Sequence, residues 1–216
     1  MPRYLLSMTL AFLLLSAPIV AGEKVRQKLY ITNSAGNDIT VADVLTNKVI
    51  GRIEVGAKPH GIAAPASQDL LLVTIEGTNP GELVWIDPRA DKIMRRMPIG
   101  PAPNQLAVTP DGKFAYIPVS DGYYEVVDIL KAKMIERIFT GGRPHNTICS
   151  ANGERMYLAP MGNPKKVSIV SVAAHKVIQE KIAGARLEIL KSAAHLSNME
   201  QPDAFNKALT TFLSSL

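Results

Sequence analysis

The 216-residue chain has a single cysteine, Cys149, so no disulfide can form within it. Cys149 follows Ile148 in an apolar-patterned run, where a small buried residue is a better expectation than a nucleophile. No G-x-S-x-G elbow, Gly-rich phosphate loop, zinc-ligand spacing or pair of catalytic carboxylates can be picked out. Blocks of one charge are missing as well. Lys plus Arg number 24 against 19 acids, and pairs such as Arg95-Arg96 and Lys165-Lys166 fit solvated strand ends better than a nucleic-acid footprint. The expectations are no nucleic-acid partner, no metal site, no resident cofactor and a leaning away from enzyme function.

A long hydrophobic run is also lacking. The apolar stretch Leu5 to Leu15 falls short of the roughly 20 residues that span a bilayer. With Arg3 before it and the small residues of "SAPIVAGEK" after it, the stretch reads as an export signal over residues 1–22, cleaved near Ala21 or Gly22. An uncleaved anchor is the alternative, and no cysteine stands there to carry a lipid. The expected location is periplasmic or secreted. Cleavage would leave about 194 residues with a net charge of +4 (23 basic, 19 acidic), enough for a sizeable core.

What the chain does have is a repeat. The segments "KLYITNSAGN", "LLLVTIEGTN", "FAYIPVSDGY" and "RMYLAPMGNP" begin alike, and their third residues, Tyr30, Leu72, Tyr116 and Tyr157, follow at steps of 42, 44 and 41. After each come a turn and a short strand ("DITVADV", "ELVWIDP", "YEVVDIL", "KVSIVSV"). A further strand follows in "KVIGRIEVG", "KIMRRMPIG", "KMIERIFTG" and "KVIQEKIAG". Three units continue with a turn and an apolar stretch: "AKPHGIAA", "PAPNQLAV" and "GRPHNTIC". Four short β segments per period of about 40 residues indicate the blades of a β-propeller. Helical repeats would need a 3.6-residue apolar spacing, and an immunoglobulin-type sandwich would not produce like units at this interval. The expected fold is mostly β: a partial propeller of about three and a half four-stranded blades, plus a C-terminal strand-loop-helix segment.

"LYITNSAGNDITVADVLTNKVIGRIEVGAKPHGIAA" resembles a unit of the YVTN-family β-propeller repeat proteins, and the resemblance runs over about residues 27–180. The second and third units depart from it, with "PNQLAV" and "PHNTIC" lacking the glycine of "KPHGIAA". The resemblance implies an exported binding or scaffolding protein, and some members accompany quinone-dependent oxidation systems. It also implies a ring of six to eight blades, so an incomplete ring is expected to expose faces and edges that are answered by self-association into a ring, by capping with the tail, or by marginal stability.

His60 in "KPHGIAA" and His145 in "RPHNTIC" hold equivalent positions, with Asn104 of "APNQLAV" between them. In the family such turns lead into the innermost strand of a blade, which implies that the three residues ring one mouth of a central channel. Imidazoles and an amide converging there could bind an anion, a metal or a redox cofactor. No cysteine or carboxylate at matching positions supplies a third metal ligand. The other reading is a turn histidine that bonds local backbone. Asp87, Asp111 and Asp128 recur in register as turn-formers. Trp85, Tyr123 and Tyr124 are expected to pack blade strands rather than stack on a ligand.

After residue 180 the repeat stops, and residues 181–216 read as a separate tail. Pro202 suits the first position of a helix and Asp203 its positive end. Phe205, Ala208, Leu209, Phe212 and Leu216 keep a helical apolar spacing. The stretch 174–216 resembles the end of α/β-hydrolases of the 3-oxoadipate enol-lactonase kind, which implies a catalytic histidine at His195. A triad needs a positioned serine, and no elbow exists to supply one. The resemblance leaves His195 an orphan and the chain a truncated or fused propeller. Three readings stand: a non-enzymatic exported binding or scaffolding protein, an esterase or lactonase remnant using His195, and an accessory of a periplasmic quinone-dependent oxidation system.

Overall fold

A computed structural model describes residues 27–163, 166–179, 190 and 197–214. The export signal, the expected junction at 180 and His195 lie outside those residues.

Among the described residues, fifteen strands form four antiparallel sheets, each a meander in chain order. The first sheet holds β1 (Lys28–Thr32), β2 (Asp38–Asp43) and β3 (Lys48–Glu54). The second holds β4 (Pro59–Ala63), β5 (Leu71–Ile75), β6 (Gly81–Asp87) and β7 (Lys92–Ile99). The third holds β8 (Ala107–Val108), β9 (Phe114–Pro118), β10 (Tyr123–Asp128) and β11 (Lys133–Phe139). The fourth holds β12 (Arg143–Cys149), β13 (Arg155–Met161), β14 (Ser168–Ser171) and β15 (Lys176–Gln179). This is a partial β-propeller followed by a short helical tail.

The four-strand unit of the sequence and the four-strand sheet are offset by one strand. "KPHGIAA" closes the first sequence unit, yet β4 opens the second sheet beside β5. Each later sheet therefore takes its first strand from the preceding unit. Among the described residues the first sheet has three strands.

Strand alternation decides which sheet each side chain meets. On β5, Leu71, Val73 and Ile75 point toward the first sheet and join Ile39, Val41, Ile53 and Val55 in one core. Leu72 points the other way, joining Leu83, Trp85, Ala115, Ile117 and Val127 between the second and third sheets. Tyr116, Tyr124, Val126, Met156, Leu158 and Val170 fill the seam between the third and fourth. Strands β5, β6, β9 and β10 are consequently apolar on both faces, while β3, β7 and β11 are largely exposed. Burying a side chain such as Leu72 contributes about 1.5–3 kcal/mol. The aromatic residues do pack: Trp85 is buried and donates from Nε1 to the Ile129 carbonyl at 3.2 Å.

Asp87, Asp111 and Asp128 accept the backbone N–H groups of Arg89, Lys113 and Lys131 at 2.8, 3.1 and 2.9 Å. They are turn-formers. The hairpins between the third and fourth strands of the later sheets each hold one residue in the left-handed region: Asp91 (φ 53°), Ala132 (φ 48°) and His175 (φ 51°). Asn47 (φ 54°) has that place in the first sheet.

Each of these three turn residues is clasped by the preceding sheet. Lys28 Nζ and the Tyr30 hydroxyl bond the Asp91 carboxylate at 2.8 and 2.6 Å. Leu70 and Leu72 pack in the same core as Ala132. The Phe114 ring meets His175 edge-on at 4.6 Å, and the Tyr116 hydroxyl lies 2.7 Å from His175 Nδ1. The clasping residues are the first and third of each sequence unit.

In the tail, α1 (Ser197–Glu200) precedes α2 (Pro202–Leu213). Pro202 stands in the first turn, where its missing N–H costs nothing. None of the described α2 residues is buried, and Leu209 and Phe212 remain 44% and 43% exposed.

Candidate functional site

The three candidate residues stand at one register position, where the chain starts the first strand of each successive sheet. His60 is the second residue of β4, Asn104 precedes β8, and His145 is the third residue of β12.

Two threonines at matching places hold the first two starts. Thr32 Oγ1 donates to the His60 carbonyl at 2.9 Å, and Thr74 Oγ1 donates to the Asn104 carbonyl at 2.5 Å. Both follow the repeat's third residue by two positions. That position is proline in the next unit, Pro118, which has no donor. The Tyr124 hydroxyl acts there instead, accepting the His145 N–H at 3.0 Å and donating to the Asn146 carbonyl at 3.2 Å. Burial holds the Tyr124 pKa up at about 12, so it stays a protonated donor.

Gly61 lets the first two starts approach. A Cβ on Gly61 would lie 2.7 Å from the Asn104 carbonyl oxygen and 2.9 Å from Gln105 Cα, both backbone atoms. Its N–H donates to Thr74 Oγ1 at 2.8 Å, so Thr74 links both segments. This closeness places His60 Nε2 3.3 Å from Asn104 Nδ2. In the neutral tautomer with the proton on Nδ1, Nε2 can accept from the amide. Asn104 Oδ1, on the other side of that amide, is buried and has no hydrogen-bond partner among the described residues.

The structure thus brings His60 and Asn104 together. His145 turns to its own neighbour: Nδ1 lies 2.8 Å from Asn146 Oδ1. Asn146 stands where the first unit has Gly61, so the lost glycine gives His145 a local partner. Among the described residues no group of three or more His, Cys, Asp or Glu is placed to hold a metal ion. Cys149 is half-buried against the seam of the third and fourth sheets, and burial raises its pKa, which disfavours the thiolate.

Two features went unremarked at the sequence level. Thr32 and Thr74 could have been found, since they repeat in register. Glu125 could not: it stands in a hydrophobic strand, only 3% exposed, where it accepts the Gly100 N–H at 2.9 Å and lies 3.2 Å from Arg137 Nε. A cavity of about 340 Å³ opens beside it, lined by Met97, Pro98, Met134 and Arg137 among others.

Antiparallel four-stranded sheets stacked face to face in sequence define a propeller-type protein. Among solved structures, the chain is similar to one titled Kuenenia stuttgartiensis hydrazine synthase, with a TM-score of 0.64 and 23% identity over 71% of this chain and 45% of that one. It is also similar to a functionally unknown protein from Desulfotomaculum acetoxidans DSM 771, with a TM-score of 0.59 and 14% identity over 67% of this chain and 48% of that one. The matched region thus spans less than half of either solved chain. At these identities the likeness establishes architecture alone. No protein-family model and no curated protein matches the chain.

Proposed function

We propose that the protein is an exported, non-enzymatic propeller module of the YVTN kind that binds a ligand or partner at the His60–Asn104 pair. The observation that carries this reading is the buried, unpartnered Asn104 Oδ1 beside an imidazole. An unsatisfied buried acceptor costs about 1–3 kcal/mol, and a ligand that brings an N–H or O–H donor to it recovers that cost. His60 supplies an adjacent group that can donate or accept. The fitting ligand class is therefore a small amide, amine or alcohol, or the backbone of a partner's loop.

Export rests on residues 1–22, and the division into repeats at 27–180 and a hydrolase-like tail at 181–216 rests on the change in sequence pattern. A role beside an exported redox system is the second reading, favoured by an imidazole in the pair and by likeness to a chain titled hydrazine synthase. An esterase or lactonase remnant would depend on His195. Hydrolysis of p-nitrophenyl esters by the parent and by His195→Ala separates that remnant from the binding reading. A thermal-shift panel of amino acids, dipeptides, polyols, divalent cations and quinones tests the binding site. Stabilisation of the parent that disappears in His60→Ala and Asn104→Ala supports it, and stabilisation only by quinones favours the redox role.

A further inference from the structure

We infer that the two open ends of the arc are halves of one interface, so that the fourth sheet of one copy packs on the first sheet of a second copy. Two copies joined by two such contacts close a ring of eight sheets.

The open faces carry apolar side chains at positions that are covered elsewhere. On the first sheet Leu29 and Ile31 are 54% and 44% exposed. They hold the places that Leu71 and Val73, Ala115 and Ile117, and Met156 and Leu158 fill in the later sheets, all of them buried against a preceding sheet. On the fourth sheet Ile148 is cross-strand to Tyr157 and 65% exposed. These two hold the places of Ala107 and Tyr116, which are packed between the third and fourth sheets.

The polar groups match in the same way. Each internal seam clasps a left-handed turn residue between the first and third residues of a sequence unit. Among the described residues the fourth sheet presents one further clasp, Arg155 and Tyr157, and the first sheet presents one further turn residue, Asn47. A cation and a phenol facing Asn47 reproduce the Lys28 and Tyr30 pair around Asp91. The asparagine Oδ1 can accept from both donors. Both halves of the seam lie on one chain, which is the requirement for head-to-tail association of copies. Propellers close with four to eight blades. Closure of the four sheets on themselves would cover Leu29 and Ile31, and these are exposed; two arcs of four sheets give eight.

The test is sedimentation of the purified chain over a range of concentrations, with variants at the seam. The parent should run at twice the mass of the purified single chain. Asn47→Lys sets a second cation against Arg155 and should raise the dimer dissociation constant at least about tenfold. Adding Arg155→Glu to Asn47→Lys should restore the dimer. Asn47 and Arg155 are exposed, so circular dichroism should show both variants folded like the parent. A parent that remains monomeric at every concentration overturns the inference. So does a dimer indifferent to Asn47→Lys, or a seam filled by a different co-purifying protein.

Discussion

His175 Nδ1 lies 2.7 Å from the Tyr116 hydroxyl, in the place where Asp91 meets the hydroxyl of Tyr30 at 2.6 Å. A histidine in one unit thus does the work of an aspartate two units earlier. Where the clasping residue is Leu72, the turn residue is Ala132. Polar partners are matched with polar and apolar with apolar, because a buried hydroxyl without a partner is costly.

Removing the hydroxyl in Tyr116→Phe should cost about 0.5–1.5 kcal/mol in urea denaturation. Leu72→Tyr should cost more, since Ala132 offers its hydroxyl nothing to bond. Ala132→Asp in the same chain should recover part of that loss.

The same contact gives a pH dependence. Burial lowers the His175 pKa in the folded protein, with Glu136 opposing, and the ring faces Phe114 and Tyr116. Above the ordinary histidine value of about 6.5 the ring is neutral in both states and its contribution to stability is complete. Below it the unfolded chain takes up a proton that the folded chain resists, so stability falls with pH until the lowered folded pKa is passed. Urea midpoints at pH 7.5 and 5.5 should differ more for the parent than for His175→Asn, which keeps a residue tolerant of positive φ.

At the candidate site, Gly61→Ala should destabilise the chain by about 1–3 kcal/mol, the usual cost of overpacking. The added methyl meets the backbone of Asn104 and Gln105, which cannot move aside as a side chain could. Calorimetric melting should report the loss, and NMR of the His60 ring and Asn104 amide should show the pair separated.

Glu125→Ala should leave the Gly100 N–H without its acceptor and Arg137 without one of its carboxylates. A loss of about 1–3 kcal/mol is expected. Glu125→Gln should lose less, because an amide oxygen can still accept from Gly100.

Much of the arc is legible in the sequence because each unit repeats its turn chemistry and its strand alternation. Tyr30, Leu72, Tyr116 and Tyr157 mark that register, and three of them turn out to face the next sheet. The offset of sheets from units was hidden, since hydrogen bonds between β4 and β5 cross the unit boundary and leave no mark in its composition. The equivalence of His60, Asn104 and His145 was readable too. Their pairing was not. It depends on whether Gly61, Gln105 or Asn146 follows, and so on how closely two backbones approach.

The most direct test of the account is ligand-induced stabilisation of the intact chain by compounds that bring an N–H or O–H donor. At least one amide, amine or alcohol should raise the melting temperature of the parent, and neither His60→Ala nor Asn104→Ala, though folded, should respond. A parent that no such compound stabilises, or a shift that survives in both variants, would contradict it.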